Sequence, residues 1–122
     1  MEQTEEYVAL KNSLIGIASE LFRFRTVFGR VLSRLPAEEH EKYLSQYQWF
    51  AKRVVKALET AGLRVIDLQE KEYDPGMAVT PMNLDDFDPE DSLYIAQMME
   101  PIIMEQDKVI KNGTVILGRF EA

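Results

Sequence analysis

Residues 54–66 read Val-Val-Lys-Ala-Leu-Glu-Thr-Ala-Gly-Leu-Arg-Val-Ile, and the period of the chain changes inside them. Val54, Leu58 and Ala61 recur in steps of four and three, the spacing of one helix face. Gly62 then supplies a residue that takes positive φ readily and so stops a helix. Leu63 to Leu68 is short, β-branched and partly alternating, which marks a strand. One glycine separates a helical half from a β half, and the sequence predicts an α+β chain with domains at 1–62 and 63–122.

Upstream of this junction the spacing predicts a helix over about 37–61. Leu44, Tyr47, Ala51, Val54, Leu58 and Ala61 form its apolar stripe, widened by Tyr43 and Phe50. Its start falls within Pro36-Ala37-Glu38-Glu39, where proline is tolerated and acids favour the helix dipole. A longer helix is predicted over about 4–35. Tyr7, Leu10, Leu14, Ile17, Leu21, Phe24, Phe28, Val31 and Leu35 alternate in threes and fours, a heptad seam. Gly16 and Gly29 weaken it by roughly 1 kcal/mol each relative to alanine, and Leu35-Pro36 ends it.

The two helices make an αα-hairpin in which the first is the longer. Val8, Ile15, Phe22, Val27 and Leu32 broaden its apolar surface beyond the seam, more than the second helix covers. Each large apolar side chain left in water forfeits roughly 1.5–3 kcal/mol. A second copy is the expected partner, with Leu14, Ile17, Leu21, Phe24, Phe28 and Val31 at a homodimer interface and the helices pooled into a four-helix bundle.

Downstream, Asp74-Pro75-Gly76 is expected to turn with its glycine free to take positive φ. Met77 to Met82 reads as a strand whose Pro81 confines it to an edge or a bulge. Ser92 to Met99, Ile102 to Met104, Lys108 to Ile110 and Thr114 to Leu117 read as further strands. Gln106-Asp107 and Asn112-Gly113 are expected to turn between them. The whole is predicted to be a small antiparallel β module.

Composition narrows the functions. The chain has 122 residues, no cysteine and one histidine, which removes thiolate chemistry and disfavours a multi-histidine zinc site or a Ser-His-Asp triad. Residues 1–62 carry nine Lys or Arg and eight Asp or Glu; residues 63–122 carry five and thirteen. An acidic second half argues against nucleic acid, whose binding rests on cations. Arg23, Arg25, Arg30 and Arg34 spread around the first helix at helical spacing and read as a solvated or ion-paired face. No apolar run reaches the roughly 20 residues of a membrane span, and the acidic start lacks the features of a signal peptide. A cytoplasmic protein with no membrane partner is expected.

Little in the sequence suggests catalysis. Asp85, Asp86, Asp88 and Asp91 lack the order of a calcium loop and read as a solvated connection. His40, between Glu39 and Glu41, reads as an exposed surface residue. Glycine-rich phosphate loops are missing. The expectation is a non-enzyme with no cofactor, no metal and no catalytic residue. Tyr73, Met77, Met82, Met98, Met99 and Met104 gather in the β half, and a split between core filling and partner contact is expected of them.

Four stretches together resemble GrpE, the nucleotide exchange factor of DnaK-type chaperones. Leu21-Phe22-Arg23-Phe24 with Phe28-Gly29-Arg30-Val31-Leu32 is similar to the end of that family's long helix. Val54 to Ile66 is similar to its short helix, glycine cap and first strand. Tyr73-Asp74-Pro75 with Ala78-Val79 resembles its Asp-Pro-x-x-His-x-Ala-Val segment, and Met99 to Leu117 its terminal strands. The likeness runs from about residue 14 to near the end. The family's histidine after Asp-Pro is missing, Pro101-Ile102 replaces a Gly-Tyr pair, and about half of the long paired helix is lacking, which points to a divergent, shortened relative.

What the resemblance implies is a dimeric four-helix bundle followed by a small antiparallel β-wing domain. One wing would pack on the chaperone's nucleotide-binding domain and promote ADP release by favouring its open state. By position the family's chaperone contacts fall near Tyr73, Pro75, Met99 and Leu117. The competing expectation is a helical dimerisation or adaptor protein that kept the scaffold and has no exchange activity.

Overall fold

The computed structural model describes residues 4–121. The outermost ends of the two predicted domains, residues 1–3 and 122, lie outside the described residues. The chain divides between Leu63 and Arg64 into two compact units, one helical and one of strands.

In the helical unit, α1 spans Glu5–Leu32 and α2 spans Ala37–Thr60. Thr4 caps α1, its hydroxyl accepting from the Tyr7 amide at 3.0 Å, and Glu5 and Glu6 lie in the first turn where the dipole favours them. The helix stops three residues before the predicted Leu35. Arg34 and Leu35 donate to Val31 and Leu32 in i→i+3 bonds, so the last turn tightens ahead of Pro36. Gly62 adopts φ +82° just beyond α2, the cap that its position predicted.

The helices run antiparallel. His40 Nδ1 lies 2.8 Å from the Leu32 carbonyl oxygen; a carbonyl only accepts, so the ring donates there, a second bond to an acceptor at the end of α1 that also takes the Leu35 amide. Further along, the Tyr47 hydroxyl donates to the Leu21 carbonyl at 3.3 Å, and its ring stacks 5.6 Å from Phe28 and 6.2 Å from Phe24. His40 is therefore half-buried and ties the hairpin together, rather than standing free on the surface as its neighbours suggested.

The second unit holds two three-stranded sheets. β1 (Leu63–Ile66), β4 (Ile102–Glu105) and β5 (Lys108–Lys111) form one in the order β1-β4-β5. The other is β2 (Val79–Pro81), β6 (Gly113–Arg119) and β3 (Leu93–Glu100), in the order β2-β6-β3. β2 runs parallel to β6, with Val79 opposite Gly113, so the module is mixed and not purely antiparallel. Pro81, which has no N–H to give a ladder, sits on that edge strand.

Most of the unit is one long bent hairpin. Glu100 pairs with Thr114 and Ile103 with Lys111 in a continuous antiparallel register, although the first pair belongs to one sheet and the second to the other. The hairpin changes sheets at buried Pro101, and register shifts on both sides add the twist such a corner needs. Gln106 opens the two-residue turn at its tip with φ +55°. Asn112-Gly113, expected as a turn, instead lies at the corner, where Gly113 begins β6. Gly113 has no positive φ; a Cβ there would meet Met98 Cε at 2.6 Å and the Glu100 carbonyl at 3.0 Å. The glycine is there for space.

Residues 68–73 cover the outer edge of β3. Glu70 and Tyr73 donate to the Ile95 and Leu93 carbonyls, Ile95 donates to Lys71, and Glu72 bridges Tyr94. Beyond β2, Asn83 continues the ladder with its side chain, accepting from the Leu117 amide at 2.9 Å and donating to its carbonyl at 3.0 Å. The interior is built from Val79, Leu93, Ile95, Met98, Ile102, Ile103, Val115 and Leu117.

Candidate interaction surface

The heptad seam of α1 is two stripes with different fates. Leu21 is buried within the single chain, and Leu14 and Phe28 are half-buried. Leu10, Ile17, Phe24 and Val31 are each more than half exposed. Of the six residues expected at a dimer interface, Ile17, Phe24 and Val31 present a free surface, while Leu21 is spent on the chain's own packing. Sequence periodicity cannot separate the two stripes, because a and d positions are equally apolar.

The second helix has the same construction. Ile17, Phe24 and Val31 each follow a packed residue of α1 by three positions, and Tyr43 and Phe50 each follow a packed residue of α2, His40 and Tyr47, by three. Three residues are roughly 300°, or 60° backwards around the helix. In an antiparallel pair, offsets of equal sense lie on the same side. The exposed residues of both helices therefore make one apolar face along the hairpin, with Tyr43 40% and Phe50 52% exposed beside the α1 stripe. Spacing alone places Tyr43 and Phe50 at the margin of the packed stripe; their exposure follows from the fold.

Two of the four arginines of the basic cluster make local contacts. Arg23 pairs with Glu20 at 2.7 Å, and the Arg25 guanidinium lies 4.4 Å over the Phe22 ring.

In the β unit the four residues implied as chaperone contacts do not share one patch. Tyr73 is half-buried, its amide bonded to Leu93 at the start of β3. Pro75 is exposed in the adjoining turn, which Asp74 holds by accepting from the Gly76 amide at 3.1 Å and the Met77 amide at 3.0 Å. Gly76 does not use positive φ there, contrary to expectation. Met99 is half-buried at a register shift near the other end of β3, six residues and roughly 20 Å along the strand from Leu93. Leu117 is 3% exposed, opposite Ile95, so its side chain belongs to the interior and is withdrawn from any contact surface. The methionines divide: Met98 is fully buried, Met82 is exposed, and Met77, Met99 and Met104 lie between.

No family model, curated protein or solved structure matches this chain. Its own geometry supplies what can be said of the site. Among the described residues no group of three or more His, Asp or Glu is placed to hold a metal ion, and no buried side-chain N or O lacks a partner. No helix of the described residues is long and apolar enough to cross a membrane. What remains conspicuous is the apolar face of the hairpin, a surface suited to association.

Proposed function

We propose that the chain is a cytoplasmic homodimer whose helical hairpins pool into a four-helix bundle, and that it acts as a GrpE-like nucleotide exchange factor on the nucleotide-binding domain of a DnaK-type chaperone. The observation that carries the dimer is the exposed stripe Leu10, Ile17, Phe24 and Val31, flanked by Tyr43 and Phe50 on the same side of the hairpin. Two copies related by a two-fold axis bury these residues against their equivalents. The exchange role is supported by the order of parts: a long helix, a shorter helix, a glycine cap and a small β module, with Tyr73, Pro75 and Met99 accessible at least in part.

Exchange by this route is a shift of population. The factor binds the chaperone's open form better than its closed form, and nucleotide weakens the factor's own binding by the same ratio. Release of a fluorescent ADP analogue from a DnaK-type chaperone tests it: the rate rises with this protein present, and an unchanged rate rejects the exchange role.

A second reading, a dimeric adaptor without exchange activity, draws on a specific observation. Tyr73 and Pro75 lie at one end of β3, Met99 towards the other, and Leu117 is buried. The set implied by the family resemblance is therefore not gathered on one patch. A normal dimer that binds the chaperone without accelerating release would favour this reading.

A further inference from the structure

Residues 42–58 of α2 contain four cations, Lys42, Lys52, Arg53 and Lys56, and no carboxylate, within a chain of net charge −7. Lys42, Trp49 and Lys56 succeed one another in seven-residue steps, and Lys52 and Arg53 follow Trp49 by three and four. All five therefore share one side of the helix. That side is about 200° around from Tyr47, which packs on α1. Trp49, the single tryptophan, is 63% exposed at its centre, with the Arg53 guanidinium 4.6 Å over its ring. None of the four cations has a carboxylate partner among the described residues.

The opposite charge lies in the connection before β3. Asp85, Asp86, Asp88, Glu90 and Asp91 crowd into seven residues around half-buried Phe87. Asp91 is engaged, 3.9 Å from Arg119 and accepting from the Asp88 amide, but Asp85, Asp86 and Glu90 are exposed and have no cation partner among the described residues. The loop is folded and not extended: Leu84–Asp86 is a 3-10 turn, and Asp91 donates to the Asp88 carbonyl, so its carboxylates are concentrated in a compact knob that meets the part of the stripe around Trp49.

We propose that the cationic side of α2 in one copy takes the acidic loop 85–91 of a second copy, with Trp49 at the centre of the contact. This contact joins unlike surfaces, so it closes only as a reciprocal pair or a ring and otherwise continues as an open chain; in each case association grows with concentration. It uses a different side of α2 from the apolar face and does not rest on the exchange reading. Being ionic, it is governed by screening: the Debye length is about 30 Å at 0.01 M salt and about 3 Å at 1 M. Association through apolar side chains persists at high salt, so the two kinds of assembly are separable.

Sedimentation of the full chain over a concentration series at about 0.01 M and about 1 M salt is the test. The expected result is a mass that climbs with concentration at low salt and returns to a constant value at high salt. The variants Lys52→Glu/Arg53→Glu/Lys56→Glu and Asp85→Lys/Asp86→Lys/Glu90→Lys, with unchanged circular dichroism, each lose the climb. Mixing them restores it, because each then meets a surface of opposite sign. A wild-type mass indifferent to salt, a climb that survives in either variant, or a mixture that fails to associate overturns the proposal. So does a salt-sensitive Trp49 emission independent of protein concentration, which would place the contact within one chain. Duplex DNA or phosphatidylserine vesicles shifting that emission without self-association would give the face to another polyanion, and likewise overturn it.

Discussion

Gly113 lies so close to Met98 that a Cβ on the glycine would stand 2.6 Å from the methionine Cε. Met98 is fully buried, and the neighbouring Glu100 carbonyl and Ile102 Cγ1 would lie at 3.0 and 3.2 Å. The terminal methyl of Met98 can swing away, but the carbonyl belongs to the ladder and cannot. Gly113→Ala is expected to destabilise the β unit by about 1–3 kcal/mol through overpacking. Urea denaturation checks it, with an unchanged midpoint contradicting the steric role.

Gly62 presents the opposite case. Nothing lies within 4 Å of a Cβ placed there, yet its φ is +82°. Gly62→Ala should cost roughly 1–2 kcal/mol from backbone strain alone, and Gly62→Asn less, because asparagine tolerates that region. Thermal melts of the three proteins should rank glycine, asparagine, alanine.

The two stripes of α1 predict different failures. In the proposed dimer Phe24→Asp removes a half-exposed apolar side chain from each copy, about 3 kcal/mol or more, so the dissociation constant should rise at least about 100-fold. Helicity should fall less than in Leu21→Asp, because only the ring stacking on Phe28 and Tyr47 is lost within the chain. Leu21→Asp buries an unpaired carboxylate within the chain and should lower helicity as well as association. Sedimentation and circular dichroism together distinguish them; a Phe24→Asp dimer as tight as the wild type would remove the apolar face from the interface.

Met99 and Leu117 differ in the same way. Met99→Asp should leave the β unit folded within about 1 kcal/mol and, under the proposed exchange role, abolish acceleration of ADP release from the chaperone. Leu117→Asp should unfold the unit, because its side chain faces the interior opposite Ile95. Nucleotide release measured beside a urea titration separates lost contact from lost fold.

The sequence by itself determined the order and kind of the elements, because period and punctuation are local: the seam of α1, the stop at Pro36, the reversal at Gly62 and the alternation of the later strands. Tertiary structure alone decided which apolar residues are used up inside one chain, since Leu21 and Phe24 look alike until the fold buries the first and leaves the second half exposed. It also decided that β2 would lie parallel to β6, and that Asn83 would stand in for a strand residue beside Leu117. At Gly113 it replaced the expected turn with a corner. These outcomes depend on contacts between residues far apart in the chain, and local spacing carries no information about which distant backbone will arrive beside a given side chain.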